Sequence, residues 1–416
     1  MTGGFLKAPE NKEKSAVTPE EVINEIEKEK AEFVCLSFCD IYGAEHSITV
    51  MPSELERAMK NGIPLDASLV AGFKLDAKID LLAIPDPDTL SPLPQSLADE
   101  ALGSAMRMCA NIFLPDGTRF ENDPRAILEK AVKEAESRGY RFNFGPAIEF
   151  YLFDQTGSDD SPHPYDTAGH MAAQPDDRCE KIRREICLDL RRMGIQPECS
   201  YHEAGPGQNK IKFRFNDPLR AADAAVAYRA VVSSVASRHG LTADFSPKPL
   251  DKYQGSSMHV NMSIESKDGR DRTPDIIAGI LQKIPEITLF LNPSKKSYKR
   301  LGRDGAPKYI SWSDANRSTL IRIPAYGGYT RFELRSPDNL ANPYLAFALL
   351  IHASLFGISE KPTLQKASEQ DLFDADPKSI GKLKVLPMSL SEAQQKARNS
   401  ILVHKCLPET AITAYL

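Results

Sequence analysis

Charged and apolar residues alternate from Arg331 to Arg335 in a pattern that predicts a strand with one chemically active face. Successive side chains of a strand point to opposite sides, so Arg331, Glu333 and Arg335 share one face. Phe332 and Leu334 share the other face, which is suited to a core. Two guanidinium groups suit phosphate or carboxylate oxygens, and the carboxylate between them suits a hard divalent cation. The pattern is equally typical of a surface ladder of salt bridges, which contributes little to stability.

Three further segments carry ligand-type residues on one face of a predicted strand. Glu149 is flanked by alternating apolar residues, and His259 and Ser263 share a face opposite three apolar residues. Lys210 begins a similar alternation just after a turn rich in Gly and Pro that carries Glu203. None of these segments has the CxxC spacing of a structural zinc site. The four strands are therefore expected to form the walls of one polar cavity.

Six segments, in the same order along the chain, resemble motifs of the glutamine synthetase family in its bacterial type I form. Any one match would be weak, but six in order over roughly 350 residues identify the chain as a member of that family. The segments are residues 65–68, 144–150, 202–209, 255–259, 316–324 together with 331–338, and 342–346.

The resemblance implies an α+β fold. Residues 1–16 are expected to form a flexible tail, and residues 17–110 a small β-grasp-like amino domain. Residues 111–416 are then expected to form a larger catalytic α/β domain of the glutamine synthetase type, with a curved antiparallel sheet.

Local signals predict where several helices lie. Thr18, followed by Pro19 and by Glu21 three residues on, is typical of a capped helix N-terminus. The uncharged stretch from Leu340 to Ile358 is long enough for a membrane span, but Asn342 and Pro343 break it near its start. A buried core helix is the better interpretation. Other helices are predicted at about 124–138, 176–193 and 218–239.

The resemblance also implies a reaction. The family transfers a phosphoryl group from ATP to the γ-carboxylate of glutamate and then lets ammonia displace the phosphate. Divalent metals, Mg²⁺ or Mn²⁺, hold the oxygens of ATP and of the acyl phosphate. Arginines neutralise charge on the transferred group, and the site excludes water because an acyl phosphate hydrolyses.

The functional positions of the family carry over, residue by residue, to four groups in this chain. The resemblance implies catalytic roles for Asp66, Arg317 and Arg322, glutamate binding by Gly255, Arg300 and Arg335, nucleotide binding by Phe215, Ser263 and Arg331, and metal binding by Glu149 and Glu203 for one ion and by His259 and Glu333 for the other.

Two of the family's metal ligands are replaced. Ala147 stands where the family has the first glutamate of Glu-x-Glu, and Lys210 stands where it has a glutamate after Gly-Gln-Asn. At most four of six protein ligands remain, so fewer metal sites than in typical members are expected. Lys210 could pair with Glu149 or Glu203 and stand in for a cation. It could equally mark a site that has lost phosphoryl transfer.

Three other substitutions fall where the family binds ammonium. Leu69 replaces a serine, His170 a tyrosine, and Gly305 the glutamate of the loop that closes over the site. These changes remove polar groups that would hold a small cation, and they open space. The resemblance then indicates an amine larger than ammonia, as in relatives that make γ-glutamyl amides of alkylamines or polyamines.

Two functions remain open on the sequence. The first is an ATP-dependent ligase that joins glutamate to a small amine other than ammonia, or in addition to it. The second is a catalytically weak or inactive homologue with a binding, regulatory or assembly role. The retained arginines favour the first, whereas Ala147, Lys210 and Gly305 favour the second.

Composition restricts the partners and the compartment. A net charge of −5 over 416 residues gives no broad basic surface for nucleic acid. Seven cysteines without paired spacing suit a reducing cytoplasm, and no membrane segment or signal peptide is predicted. The resemblance implies a homo-oligomer, a hexameric ring or a double-ring dodecamer, in which Asp66 completes the active site of a neighbouring subunit.

Overall fold

The computed structural model of the protein contains two β-sheets, each packed against helices. Residues 1–16, for which a flexible tail is predicted, lie outside the described part of the chain. The structure describes residues 17–73, 79–94, 97, 103–155, 162–303, 305–324, 331–376, 380–381 and 383–416.

The first sheet has six strands in the described residues. They are β1 (Ala31–Cys39), β2 (Glu45–Val50), β3 (Ile63–Asp66), β4 (Asp80–Pro85), β5 (Ser91–Pro92) and β6 (Ser104–Phe113). Their order is β2-β1-β6-β4-β3, with β5 pairing with β6. The β1–β6 pair is parallel and the other pairs are antiparallel. This mixed sheet confirms the predicted β-grasp-like amino domain.

Two helices pack on the first sheet, α1 (Pro19–Lys28) and α2 (Leu55–Asn61). The start of α1 is the predicted capping box: the hydroxyl of Thr18 accepts the N–H of Glu21, and the carboxylate of Glu21 accepts the N–H of Thr18. Val22 and Ile26, four residues apart and thus on one helix face, are buried in the core of this sheet.

The second sheet has eight strands in the described residues. They are β7 (Tyr140–Asp154), β8 (Pro197–His202), β9 (Gln208–Phe213), β10 (Leu241–Asp244), β11 (Met258–Ser266), β12 (Trp312–Ser313), β13 (Ile321–Arg322) and β14 (Arg331–Leu334). Their order is β12-β13-β14-β11-β7-β9-β8, with β10 pairing with β7. All pairs except β12–β13 are antiparallel, which confirms the predicted curved antiparallel sheet.

Nine further helices and three short 3₁₀ turns complete the described structure. The helices are α3 (Pro124–Ser137), α4 (Glu180–Arg192), α5 (Pro218–Arg238), α6 (Thr273–Leu291), α7 (Lys295–Arg300), α8 (Pro343–Glu360), α9 (Leu390–Arg398), α10 (Ile401–Cys406) and α11 (Glu409–Tyr415). The 3₁₀ turns are Pro52–Glu54, Ala67–Leu69 and Pro87–Thr89.

Helix α8 lies in the core. It is long and apolar enough to cross a membrane, but 78% of its apolar window is buried inside the protein. It packs against α6 at a point where both helices carry glycine. A Cβ atom on Gly357 would lie 2.1 Å from the carbonyl oxygen of Asp275, and one on Gly279 would lie 2.5 Å from the Cα of Gly357. Only glycine therefore allows this close approach.

Helix α4 begins later than the sequence pattern predicts. The predicted start is residue 176, whereas the helix begins at Glu180. The carboxylate of Asp166 accepts the backbone N–H groups of Arg178 and Cys179 at 3.1 and 3.3 Å. These hydrogen bonds hold the residues just before Glu180 outside the helix. No local sequence pattern predicts them.

A buried arginine joins the first sheet to the helices of the second. The guanidinium group of Arg125 at the start of α3 lies 2.7 Å from a carboxylate oxygen of Asp86 and 3.1 Å from Asp223 of α5. It also donates to Asn111 of β6 at 2.6 Å, and the hydroxyl of Tyr344 donates to Asp223 at 2.7 Å. One cation therefore compensates two carboxylates at the boundary between the sheets.

We predict that Arg125→Met lowers the free energy of unfolding by about 3 to 5 kcal/mol, because removal of one partner leaves buried carboxylates without a cation. The matched control is Arg184→Met in α4, whose exposed pair with Glu180 contributes less than about 1 kcal/mol. Chemical denaturation of the three proteins measures both values. Equal losses in the two variants would contradict the role given to Arg125.

Candidate active site

Four neighbouring elements of the second sheet bring the predicted residues together. In the strand register, Glu149 of β7 lies opposite Lys210 of β9, and His259 of β11 lies opposite Ala147 of β7. Glu333 of β14 lies opposite residue 261 of β11. The apolar residues that alternate with them face the core, so the polar residues are held on a single face of the sheet.

The ammonium group of Lys210 lies at the centre of this face. Its Nζ atom is 2.7 Å from Glu149 Oε1, 3.4 Å from Glu203 Oε1 and 3.2 Å from His259 Nδ1. The side chain is almost completely buried, with 4% of the residue exposed. Burial alone would lower the pKa of Lys210, but the charges of Glu149 and Glu203 outweigh it and raise that pKa. Lys210 is therefore a permanent cation.

The two glutamates beside Lys210 are held differently. Glu149 Oε2 accepts the N–H of Ser257 at 2.9 Å, and although burial opposes ionisation, the Lys210 ammonium lowers the pKa of Glu149 to about 2. Glu203 Oε2 lies 3.1 Å from Nδ1 of His170. Burial raises the pKa of Glu203, and the charge of Glu149 adds to this effect. Glu149 is thus the main anionic partner of the lysine.

Glu333 and His259 form the other half of the cluster. Glu333 Oε2 accepts from Arg322 at 2.9 to 3.0 Å and from Arg335 at 3.1 Å, while Oε1 lies 3.3 Å from His259 Nδ1. Burial would raise the pKa of Glu333, but His259 and both arginines lower it well below its usual range. Burial, Lys210 and Arg335 lower the pKa of His259 to about 3, so its imidazole is neutral. Its buried Nε2 has no hydrogen-bond partner among the described residues.

The three residues predicted to bind glutamate lie next to each other. Arg300 is buried and donates to the carbonyl of Ser336 at 2.8 Å and to the hydroxyl of Ser257 at 2.7 Å. A Cβ atom on Gly255 would lie 2.9 Å from the Arg300 side chain and 2.3 Å from a backbone oxygen, so a larger residue does not fit there. Arg335 donates to Glu333 and to the carbonyl of Gly305.

The residues predicted to bind nucleotide also lie together. Arg331 of β14 lies opposite Ser263 of β11 in the strand register. The guanidinium carbon of Arg331 is 5.8 Å from the centre of the Phe215 ring. Arg322 lies on the neighbouring strand beside Glu333, and Arg317 is exposed on the turn that precedes that strand.

Asp66 does not lie in this sheet. It ends β3 of the first sheet, is exposed, and accepts hydrogen bonds from the N–H and the hydroxyl of Ser68. Leu69, three residues on, is 84% exposed. Within one chain, the sequence-predicted set is thus divided between a cluster on the second sheet and an aspartate on the surface of the first.

Sequence reasoning missed a buried pair that holds the Glu203 turn. The imidazole of His202 lies 2.8 Å from Asp166 Oδ1 through Nε2 and 2.6 Å from the carbonyl oxygen of Glu203 through Nδ1. Asp166 Oδ1 also accepts the N–H of Gly207 at 3.0 Å. His202 directly precedes Glu203 and could have been noticed, whereas Asp166 lies 36 residues away without a local signal.

The pair belongs to a wider cluster of groups of the types that bind metals. The cluster consists of Asp166, Asp177, Cys179 and His202. Its carboxylates are already engaged, because Asp177 pairs with Arg183 at 2.5 Å and Asp166 accepts three backbone N–H groups. The arrangement therefore serves to fix the turn that carries Glu203.

The donors around Lys210 meet the chemical requirements of a divalent ion only in part. Carboxylate oxygens suit Mg²⁺ and Mn²⁺, and an imidazole nitrogen suits Mn²⁺. Glu333 Oε1 faces Nδ1 of His259, and among the described residues neither Glu333 oxygen forms an ion pair with the Lys210 ammonium group, which reaches His259 at the same Nδ1. Glu149 and Glu203, in contrast, already contact an ammonium group. Ala147, opposite His259, supplies only a buried methyl group.

Comparison with known proteins identifies the family. Residues 30–115 match the family described as "Glutamine synthetase, beta-Grasp domain" and residues 121–416 match "Glutamine synthetase, catalytic domain". A glutamine synthetase of Methanosarcina mazei is 39% identical over 97% of this chain and 93% of its own length. One of Clostridium saccharobutylicum is 36% identical over 96% and 93%.

Solved structures agree with the sequence matches. The structure titled "GmaS/ADP complex-Conformation 1" superposes with a TM-score of 0.84 at 27% identity and covers 95% of this chain and 93% of that chain. The structure titled "Apo GmaS without ligand" gives 0.84 at 26% identity, with coverage of 94% and 93%. Sequence and structure lead to one conclusion: the chain belongs to the glutamine synthetase family.

Proposed function

We propose that the protein is an ATP-dependent ligase that forms a γ-glutamyl amide from glutamate and an amine other than ammonia, or in addition to it. The membership of the family supports a ligase. The similarity to GmaS, one of whose structures holds ADP, supports a nucleotide site in this fold. In this proposal ATP activates the γ-carboxylate as an acyl phosphate, and the amine then displaces the phosphate.

The arrangement of arginines supports the first half-reaction. Arg331, Glu333 and Arg335 follow one another on one face, about 7 Å apart from one to the next. Arg331, with Phe215 and Ser263, would hold the nucleotide, and Arg322 with Arg317 the transferred phosphoryl group. Arg335 and Arg300, beside Gly255, would hold glutamate. Such fixed donors stabilise charge in a site that excludes water without reorganising during the reaction.

A divalent ion, Mg²⁺ or Mn²⁺, would be held by His259 and Glu333 and would neutralise phosphate charge when bound. The chain's own residues supply the remaining positive charge: Arg322 and Arg335 contact Glu333, and Lys210 contacts Glu149.

The choice of amine depends on one observation, the glycine at position 305 where family members carry a glutamate. Its carbonyl oxygen accepts from Arg335, so the residue borders the position proposed for glutamate. Among the described residues, a Cβ atom there would meet only the Gln254 side chain, at 3.9 Å, so the position where family members carry a glutamate is not tightly packed. His170, where family members carry a tyrosine, is half exposed and contacts Glu203. A larger amine has room to enter, and no carboxylate of residue 305 selects a small ammonium ion.

The assembly is part of the proposal. Asp66 and the exposed Leu69 lie on the first sheet, whereas the cluster is on the second sheet. In a homo-oligomeric ring, hexameric or double-ring dodecameric, Asp66 of one subunit would complete the site of its neighbour. A cytoplasmic location is likewise an expectation of the family resemblance.

A second function is favoured by one specific contact. Lys210 holds both Glu149 and Glu203, which are metal ligands in the family. A catalytically weak or inactive homologue with a binding, regulatory or assembly role would tolerate this substitution. The two functions differ in turnover, and a direct assay separates them.

We predict that the assembled protein releases ADP from ATP in the presence of Mg²⁺ or Mn²⁺, glutamate and one class of amine, tested against ammonia, alkylamines, polyamines and amino acids. Glu333→Gln should reduce this rate at least about 100-fold, the scale of a lost electrostatic contact in a transition state. Glu265→Gln, an exposed change on the same strand as His259, is the matched control and should leave the rate unchanged. Absence of ADP with every amine would reject the ligase and favour the second function.

We predict that Gly305→Glu shifts the ratio of ammonia use to larger-amine use at least about tenfold towards ammonia, which corresponds to about 1.4 kcal/mol in relative barrier height. Gly305 has a φ of +86°, where any side chain is strained, so the variant also perturbs the backbone. Gly305→Ala introduces the same strain without a carboxylate and should leave the ratio unaltered. The measurement is kcat/KM for each amine, and an equal shift in both variants would show that strain alone determines the ratio.

A further inference from the structure

We propose that the ammonium group of Lys210 permanently occupies one of two cation positions in the site, so that each subunit binds one divalent ion instead of two. This inference deepens the proposed ligase function by stating what the site binds. The count of bound ions does not require turnover, however, so it can be tested even if the proposed function fails.

The ammonium nitrogen of Lys210 already lies on the ligands of one predicted ion. It is 2.7 Å from Glu149 and 3.4 Å from Glu203, the two carboxylates assigned to that ion. A magnesium ion bound to the carboxylate oxygens of Glu149 and Glu203 would lie about 2.0 to 2.1 Å from each of them. The ion and the ammonium group would then lie side by side on the same oxygens, and their mutual repulsion in a buried site would oppose binding.

The backbone of Lys210 is fixed on both sides. Strand β9 lies between β7 and the edge strand β8, and Lys210 pairs in register with Glu149 on β7 and with Tyr201 on β8. The residue is nearly inaccessible to solvent. Moving the charge away from the two glutamates would leave it buried without its anionic partners, which opposes its displacement by a metal ion.

Two ligand atoms beside Lys210 remain without a contact to its ammonium group. Glu333 Oε2 is held by Arg322 and Arg335, whereas Oε1 faces Nδ1 of His259, the ring nitrogen that Lys210 also reaches. The other ring nitrogen of His259, Nε2, is buried without a partner among the described residues. Mg²⁺ in phosphoryl-transfer sites is commonly held by one or two protein carboxylates together with substrate phosphates. Glu333 and His259 therefore remain as ligands for one ion, whereas Glu149 and Glu203 already share the Lys210 ammonium group.

Counting bound Mn²⁺ tests this inference directly. The oligomer is stripped of metal, titrated with Mn²⁺ without nucleotide, and the free ion is measured by electron paramagnetic resonance, with calorimetry as a second method. We expect one Mn²⁺ per subunit in the native protein and one additional ion in Lys210→Glu. Lys210→Met, which keeps the length of the stem and removes the charge, should gain the same ion with lower affinity.

Lys212→Met is the matched control, because Lys212 lies on the same strand but faces the Tyr201 ring at 5.6 Å. It should bind as many ions as the native protein. Circular dichroism and sedimentation establish that each variant is folded and assembled, and Lys210→Met decides the question if Lys210→Glu does not fold. Two ions per subunit in the native protein would overturn the inference, as would an unchanged count in a folded Lys210 variant.

Discussion

The ion pair between Lys210 and Glu149 is the interaction on which the rest of the site depends. A buried carboxylate without a cation is destabilising by several kcal/mol, and here three carboxylates converge on one face of a sheet. Because Lys210 and Glu149 are opposed in register on β9 and β7, the pair sets the charge balance and the strand alignment together. A slip of one residue would turn the polar face of the strand into the core.

The faces of the site strands could be predicted from the sequence because strand alternation is a local property. Phe332 and Leu334 are buried in the core while Glu333 faces the cluster, as the pattern at Arg331–Arg335 predicted. The capping box at Thr18 is equally local and is present. The two-sheet fold and the family followed from the order of the motifs, since no single strand indicates which others lie beside it.

Other features could not be predicted because they depend on contacts between distant residues. Asp166, 36 residues from His202 in sequence, orients its imidazole. Its hydrogen bond to the N–H of Arg178 also keeps the residues before Glu180 out of helix α4. Arg300 was expected to contact substrate, and the structure adds that two of its donors bind the carbonyl of Ser336 and the hydroxyl of Ser257. The position of the Arg300 guanidinium group is thus fixed by the protein itself, a property that residue type and spacing do not reveal.

The central strand β7 has a consequence for the order in which the protein folds. It pairs with β9, β10 and β11, and Glu149 meets Lys210 across 61 residues of sequence, while Lys210 meets His259 across 49. Long separations of this kind make closure slow, because chain entropy is lost before the contact forms. Desolvation of the Glu149 carboxylate is costly until β9 has paired with β7 and placed Lys210 beside it. The apolar face of β7 can therefore pack against its helices before the polar face is paired. The cluster around Lys210 then forms late in folding.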